Sequence, residues 1–288
     1  MKDIRNLFIF KPPLRLIVTS KCNGHCNFCH KEGFKGYGEM SMEDIICCSQ
    51  VANELKIPKI CLSGGEPSTR NDLSQIINNI QSLYCGKLVL TSNGKNLLEC
   101  AKSIKSNIHK LNLSIVSFKN EITQKYQNVS FDIIKQIINS FPSDNVNLNL
   151  VVVHDNYLDL PMMIEFCITN NISMDIMFNI SNNSDEHKYL SVIENNIMKN
   201  SPYIEMNGVP KLVIYKSEKC IISIKHPWFS SLITRKICND CPEKCKEHVC
   251  AVRVYPDKSV SPCLSSQYEF KNGGLKDNII SAYNAISD

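Results

Sequence analysis

The chain has 288 residues, 43% hydrophobic and 21% charged, enough apolar mass for a sizeable core and too much for a disordered or fibrous protein. Its 32 Lys and Arg against 28 Asp and Glu leave a formal charge of +4 spread along the chain, which excludes the footprint of a nucleic-acid binder but allows a local basic pocket for an anionic ligand. No apolar run approaches the roughly 18 residues that span a bilayer, and no long apolar stretch precedes Lys11-Pro12-Pro13, so the expected setting is the cytoplasm, without membrane or export.

From residue 12 to about 180, short β-rich runs alternate with helical patterns. The expected strands are Leu14–Thr19, Lys59–Ser63, Lys87–Thr91, Lys110–Ile115, Asn147–Val153 and Ser173–Asn179. Between them, Ser41-Met42-Glu43-Asp44 opens a helix with a Ser cap and acids in its first turn. Asn71–Tyr84 carries Leu73, Ile76, Ile77, Ile80 and Leu83 at helical spacing, and Leu97–Asn107, Phe131–Ser140 and Asp159–Asn170 follow. Strand starts roughly 23 to 45 residues apart fit βα units and a parallel sheet with right-handed crossovers. Six units are too few for a closed eight-stranded barrel, so the predicted fold class is α/β, a partial (β/α)6 TIM-like barrel with its site at the carboxyl ends of the strands. The polar stretch from Ser181 to Glu186 reads as a linker, which divides the chain into a barrel region at 1–190 and a C-terminal region at 191–288. Strand-like Lys211–Tyr215, Cys220–Ile224 and Val252–Tyr255 fall in the second region.

Fifteen cysteines without an export signal point to metal rather than disulfides. Seven (Cys47, Cys48, Cys61, Cys85, Cys100, Cys167 and Cys220) are scattered and read as small hydrophobes. Cys22, Cys26 and Cys29 instead share one loop directly after the first strand. Their Cys-x3-Cys-x2-Cys spacing can hold three irons of a [4Fe–4S] cluster and leave the fourth iron open. Zinc is the rival on spacing alone, with His25 or His30 as a fourth ligand.

That triad, with Phe28 before its last Cys, resembles the signature of the radical S-adenosylmethionine (SAM) enzymes. Ser63-Gly64-Gly65-Glu66-Pro67 after the second strand is similar to the family's GGE motif, and Thr91-Ser92-Asn93-Gly94 and Leu111–Ile115 follow in the family's order. Each piece alone is ordinary turn or strand chemistry; their order is what carries the resemblance. The resemblance implies that SAM is chelated at the open iron, with Gly64, Gly65, Glu66 and Pro67 about its methionyl end. It also implies Asn93 and Ser114 at ribose or carboxylate and Phe28 beside adenine. The implied reaction is reductive cleavage of SAM to methionine and a 5′-deoxyadenosyl radical that takes a hydrogen atom from a substrate. A one-electron reductant such as flavodoxin or ferredoxin is the implied partner.

Within the family the chain resembles the molybdopterin-biosynthesis GTP 3′,8-cyclase group, through Pro13-Leu14-Arg15-Leu16, the run Gly64–Asp72, Thr91–Gly94 and the tail Arg253–Asp257 ending at Pro262-Cys263. Residues 181–237 match no motif. The tail cysteines, Cys238, Cys241, Cys245, Cys250 and Cys263, would by this resemblance hold an auxiliary [4Fe–4S] cluster of twitch or SPASM type, with structural zinc the alternative. Cys238, Cys241, Cys250 and Cys263 are the preferred ligands and Cys245 the spare one. Arg15, Arg70 and Arg253 stand where the cyclases grip triphosphate, although each also reads as a salt bridge or a helix cap. The chain departs from the cyclases at Asn147, where the group has a basic residue, in Asp175–Ile180, which lacks the expected Arg, and in the missing terminal Gly-Gly pair. The expected activity is therefore that of a radical SAM enzyme acting on a small anionic molecule of nucleotide or nucleoside type. A GTP 3′,8-cyclase proper, a peptide-modifying maturase and a zinc-stabilised binding protein are the alternatives.

Overall fold

A computed structural model describes residues 11–34, 36–178, 189, 203–205, 211–225, 236–238, 251–264 and 268–287. The six expected strands form as β1 (Leu14–Ile17), β2 (Lys59–Ser63), β3 (Lys87–Ser92), β4 (Lys110–Ile115), β5 (Val146–Val152) and β6 (Ser173–Phe178). They pair parallel in chain order. The crossover helices are α1 (Met42–Glu54), α2 (Leu73–Leu83), α3 (Leu97–Ile104), α4 (Asn120–Gln127), α5 (Phe131–Ser140) and α6 (Leu160–Thr169). Ser41 caps α1 by accepting the Asp44 N–H at 3.1 Å, and Ser130 caps α5 through Asp132 at 3.2 Å. The short α4 was not expected; it is mostly polar, and it ends at Asn128 with a left-handed φ of 56°.

Helices α1, α2, α3, α5 and α6 pack on one face of the sheet, whereas α4 sits beside the cysteine loop against Val116 and Val153. Leu14, Leu16, Ile60, Leu62, Leu88, Leu90, Leu111 and Leu113 alternate onto that face and join Ile45, Ile76, Ile77 and Ile80 of the helices in one core. Helices on a single face curve a parallel sheet into an open barrel, so the partial (β/α)6 barrel stands. The opposite, concave face carries the residues between: Arg15, Cys61, Val89, Lys110, Asn112, Ser114, Asn147, Asn149 and Asp175.

The second region continues the same sheet at both edges. β9 (Ile221–Lys225) pairs parallel with β6, and β8 (Lys211–Lys216) and β7 (Tyr203–Glu205) follow antiparallel. At the other edge β10 (Val252–Val254) pairs parallel with β1, and β11 (Val260–Ser261) pairs with β10. The last helix, α7 (Leu275–Ile286), also unexpected, packs its apolar side into the core, and its Tyr283 hydroxyl donates to the Pro12 carbonyl at 2.8 Å. The expected boundary near residue 190 and the cysteines Cys241, Cys245 and Cys250 lie outside the described residues.

Candidate active site

The cysteine loop leaves the carboxyl end of β1, and the ends of its neighbours hold it there. Ser20 donates its backbone N–H to Gly38 at 2.8 Å, and Asn27 donates to the Tyr126 carbonyl at the end of α4 at 3.2 Å. All three cysteines are free, Cys22 and Cys29 exposed and Cys26 half-buried. Backbone N–H groups point at two of the sulfurs, Gly24 at Cys22 (3.4 Å) and Lys31 at Cys29 (3.3 Å). Burial, with the neighbouring Cys29 and Cys22 sulfurs, pushes the Cys26 thiol up to about 12. Burial also raises Cys22, helped by Glu66 and Cys29 and opposed by the Gly24 N–H and Lys95. The three sulfurs thus repel one another as thiolates, a repulsion that a cationic iron centre removes.

Gly64 and Gly65 lie directly under this loop. A Cβ on Gly64 (φ +151°) would come within 2.5 Å of the Thr19 carbonyl, and one on Gly65 within 2.2 Å of the Lys21 carbonyl. On the other side, a Cβ at Gly33 would meet the Gly65 nitrogen at 2.3 Å. Three backbones are therefore layered in contact, locked by Gly65 N–H to Thr19 and Glu66 N–H to Lys21, both 2.8 Å. The glycines first serve protein-to-protein approach at the base of the cysteine loop.

Glu66, 1% exposed, is the hub beneath that layer. Its Oε1 accepts the Ser68 N–H (3.0 Å), the Ser68 hydroxyl (2.7 Å) and the Ser92 hydroxyl (2.7 Å). Its Oε2 accepts the Asn93 N–H at 2.6 Å and has a lone pair to spare. Burial nevertheless raises this carboxyl, against the lowering by Asn93, Ser68 and Ser92. Pro67 opens the 3-10 turn that Glu66 caps. Asn93 then reaches back to the cysteine loop, its Nδ2 donating to Asn23 Oδ1 at 2.9 Å while Lys95 Nζ donates to the Asn23 carbonyl at 3.2 Å. The ends of β2 and β3 and the residue after Cys22 thus form one hydrogen-bonded unit.

The three expected arginines divide. Arg70, its side chain 5% exposed, pairs bidentately with Asp72 (2.8 and 2.7 Å) and donates to the Val18 and Met40 carbonyls (2.8 and 2.7 Å). It clamps the strand ends, and protein groups take four of its five donors. Arg15 and Arg253 are Cα partners across the β1–β10 seam, and both bind Glu32. Arg15 Nη1 donates to Glu32 Oε2 at 2.7 Å, and Arg253 Nε donates to Glu32 Oε1. Burial pushes the Glu32 carboxyl up, but Arg15 and Arg253 outweigh it and hold it at about 2. Glu32 stands three residues after Cys29 and was not singled out in the sequence. A left-handed φ of 55° at Lys31 carries it inward.

Phe28 is half-buried against Val116, Ile122 and Val153 beside Tyr126, and Ser114 is half-buried on the concave face. Cys238 and Cys263, the two described tail cysteines, are half-buried against the core.

The donor set fits a cluster and a polar ligand. Among the described residues no three His, Cys, Asp or Glu side chains are grouped to hold a single metal ion, whereas a cubane takes one thiolate at each of three irons. Asn23 Nδ2, Thr91 Oγ1 and both polar atoms of the Gln127 side chain are buried without a partner among the described residues. Asn23 lies in the loop, Thr91 is next to the Ser92-Asn93 unit, and Gln127 ends the helix that braces the loop; buried polar atoms of this kind call for a ligand or water. Sequence reading missed Asn23, Ser92 and Gln127 as well as Glu32; Asn23, inside the cysteine triad, and Ser92, inside Thr91–Gly94, lay within motifs, and Gln127 and Glu32 did not.

Comparison with known proteins agrees with this geometry. Residues 16–167 match the sequence family described as the Radical SAM superfamily. A probable GTP 3′,8-cyclase of Methanocaldococcus jannaschii is 30% identical over 163 residues, 54% of this chain and 54% of that protein. Another of the same description, from Methanococcus aeolicus, is 26% identical over 276 residues, 92% of this chain and 88% of its own length. The chain thus spans about half the length of the first relative. Among solved structures, Streptococcus suis SuiB bound to S-adenosylmethionine superposes with a TM-score of 0.67 at 13% identity, over 93% of this chain and 65% of SuiB. Native anSMEcpe with bound AdoMet and the Kp18Cys peptide gives 0.65 at 16% identity, over 96% of this chain and 81% of that one. At these identities the likeness is one of fold.

Proposed function

Because the chain belongs to the radical SAM superfamily, with its [4Fe–4S] cluster, SAM and a need for a reductant, we propose that it acts on a small anionic metabolite of nucleotide or nucleoside type. Cys22, Cys26 and Cys29 would hold the cluster, and Gly64, Gly65, Glu66 and Pro67 would serve the methionyl end of SAM, with Asn93 and Ser114 for its polar groups and Phe28 for adenine. When bound, the pair supplies one-electron cleavage of SAM to methionine and a 5′-deoxyadenosyl radical that abstracts hydrogen from the substrate. Glu66 Oε2 keeps an acceptor site for an ammonium group, and Asn23, Thr91 and Gln127 offer hydrogen-bonding capacity not met among the described residues. The observation that carries the reading is the layering of the cysteine loop on Gly64–Gly65 and its tie to Asn93. Cys238, Cys241, Cys250 and Cys263, with Cys245 available, hold an auxiliary [4Fe–4S] cluster; the reductant is a flavodoxin or ferredoxin, and the setting is cytoplasmic.

Replacing Cys22, Cys26 and Cys29 together by Ala tests this. Anaerobically prepared wild-type protein should carry about eight irons, four per cubane, and the variant about half of them with no 5′-deoxyadenosine formed. SAM cleavage that survives in the variant would refute the assignment.

A further inference from the structure

One peptide unit of the cysteine loop is engaged at both ends. Its carbonyl, that of Asn23, accepts from Lys95 Nζ at 3.2 Å, and its N–H, that of Gly24, points at Cys22 Sγ at 3.4 Å. An ammonium group, a peptide dipole and a sulfur therefore stand in series. The peptide has little room to turn away. A Cβ on Gly24 would lie 3.1 Å from Asn93 Nδ2 and 3.4 Å from the Gln127 carbonyl, and Asn93 Nδ2 also holds the Asn23 side chain at 2.9 Å.

Lys95 is itself aimed. A left-handed φ of 86° at Gly94 turns the chain after β3, and the Lys95 N–H donates to Asn93 Oδ1 at 2.9 Å. Burial raises the Cys22 thiol, whereas the Gly24 N–H and Lys95 lower it. On Cys29 the equivalent N–H, from Lys31, is exposed, so water competes for that bond; the one on Cys22 is partly buried and counts for more.

We propose that Lys95 is a positioning residue for the metal centre: it fixes and polarises the Asn23–Gly24 peptide, so that the N–H stays on the Cys22 sulfur and the centre accepts its electron at a higher potential. The proposal rests on the reading of Cys22, Cys26 and Cys29 as cluster ligands. One electron from a carrier of flavodoxin or ferredoxin class, itself oxidised by one electron, takes a [4Fe–4S] core from its 2+ to its 1+ state, and no proton or bond changes place. That electron adds negative charge to a centre that already carries three thiolates. A hydrogen bond to sulfur and a nearby cation both favour the reduced form. Polarisation along the series strengthens its last bond, and direct attraction from the ammonium group acts in the same sense.

The test is a redox titration of anaerobically prepared holoprotein with dithionite, followed by electron paramagnetic resonance on the signal that changes when SAM is added. Lys95→Met should keep the wild-type iron content while its reduction equilibrium falls about tenfold, a midpoint potential about 59 mV more negative. Lys95→Arg, which keeps a cation and its donors, should shift by less than about half as much. Lys95→Met with wild-type iron and an unshifted midpoint overturns the proposal, as does Lys95→Arg displaced as far as Lys95→Met. Loss of iron from a folded Lys95→Met protein overturns it too, since the residue would then hold the loop together rather than tune the centre. Should Lys95→Met lose its far-ultraviolet circular dichroism, Lys95→Gln is judged by the same outcomes. Wild-type protein without a SAM-responsive cluster signal overturns the radical SAM reading and this proposal with it, whereas a signal present at an unshifted potential overturns this proposal alone.

Discussion

Glu66→Gln isolates what the hub beneath the cysteine loop contributes. The carboxylate accepts two backbone N–H groups, from Ser68 at 3.0 Å and Asn93 at 2.6 Å, and two hydroxyls, from Ser68 and Ser92 at 2.7 Å each. An amide has one oxygen. The serine hydroxyls can turn to accept from its NH2 group, but a backbone N–H cannot. Either orientation therefore orphans one buried N–H, that of Ser68 or that of Asn93. Burial raises the carboxyl despite its four donors, so loss of the charge is not itself a loss of stability. What remains is the orphaned N–H, about 2 kcal/mol, or a fall of roughly 4 °C in Tm for a chain of this size. Anaerobic thermal unfolding followed by far-ultraviolet circular dichroism measures it. Ser68→Ala is the control, since it removes one hydroxyl donor to Glu66 whereas the Ser68 backbone N–H keeps its bond; its cost should stay under about 1 kcal/mol. A Glu66→Gln protein within about 1 °C of wild type, or a Ser68→Ala protein less stable than it, would refute the hub argument.

Gly65→Ala places a methyl 2.2 Å from the Lys21 carbonyl, so both 2.8 Å backbone bonds of the layer must break or stretch; a loss of about 3 kcal/mol and reduced iron retention are expected, read by thermal unfolding and iron assay. Glu32 titrates at about 2 against an ordinary 4.5, so its contribution, roughly 3 kcal/mol, is complete above pH 4.5 and disappears as pH falls toward 2. The stability advantage of wild type over Glu32→Gln should shrink across that window in acid titrations, and an advantage unchanged down to pH 2 would contradict the buried ion pair. Asn93→Ala cuts the 2.9 Å tie to Asn23 and should raise KM for SAM by about tenfold, with the iron content of the wild type.

Local chemistry made much of the barrel legible. Helical spacing of apolar residues in α2 and α5, alternation along β4 and the strand-to-strand intervals all act within short windows, and each element formed within a few residues of its expected bounds. α4 escaped because a polar eight-residue helix has almost no apolar stripe to read. α7 was readable, with Leu275, Ile279, Ala282, Tyr283 and Ile286 at helical spacing, and was overlooked. In the site, the cysteine loop and the Gly64–Glu66 and Asn93 motifs came together at the strand ends. The fate of the arginines was hidden, because it depends on the β1–β10 pairing between segments far apart in the chain and on an acid whose neighbours give no signal. The surroundings of Arg70 were hidden for the same reason: its partners Val18 and Met40 are contacts made by the fold, not by spacing.

The seam between β1 and β10 has a further meaning for biogenesis. β1 delivers the cysteine loop, yet it is an interior strand only because Val252–Val254 lies along its outer side. Until that stretch has been translated, the strand feeding the metal loop is a bare parallel edge, open to pairing with other chains. A nascent or truncated chain that lacks it presents its reactive thiols and an adhesive border together, which makes timely iron delivery and shielding of that border one problem during synthesis.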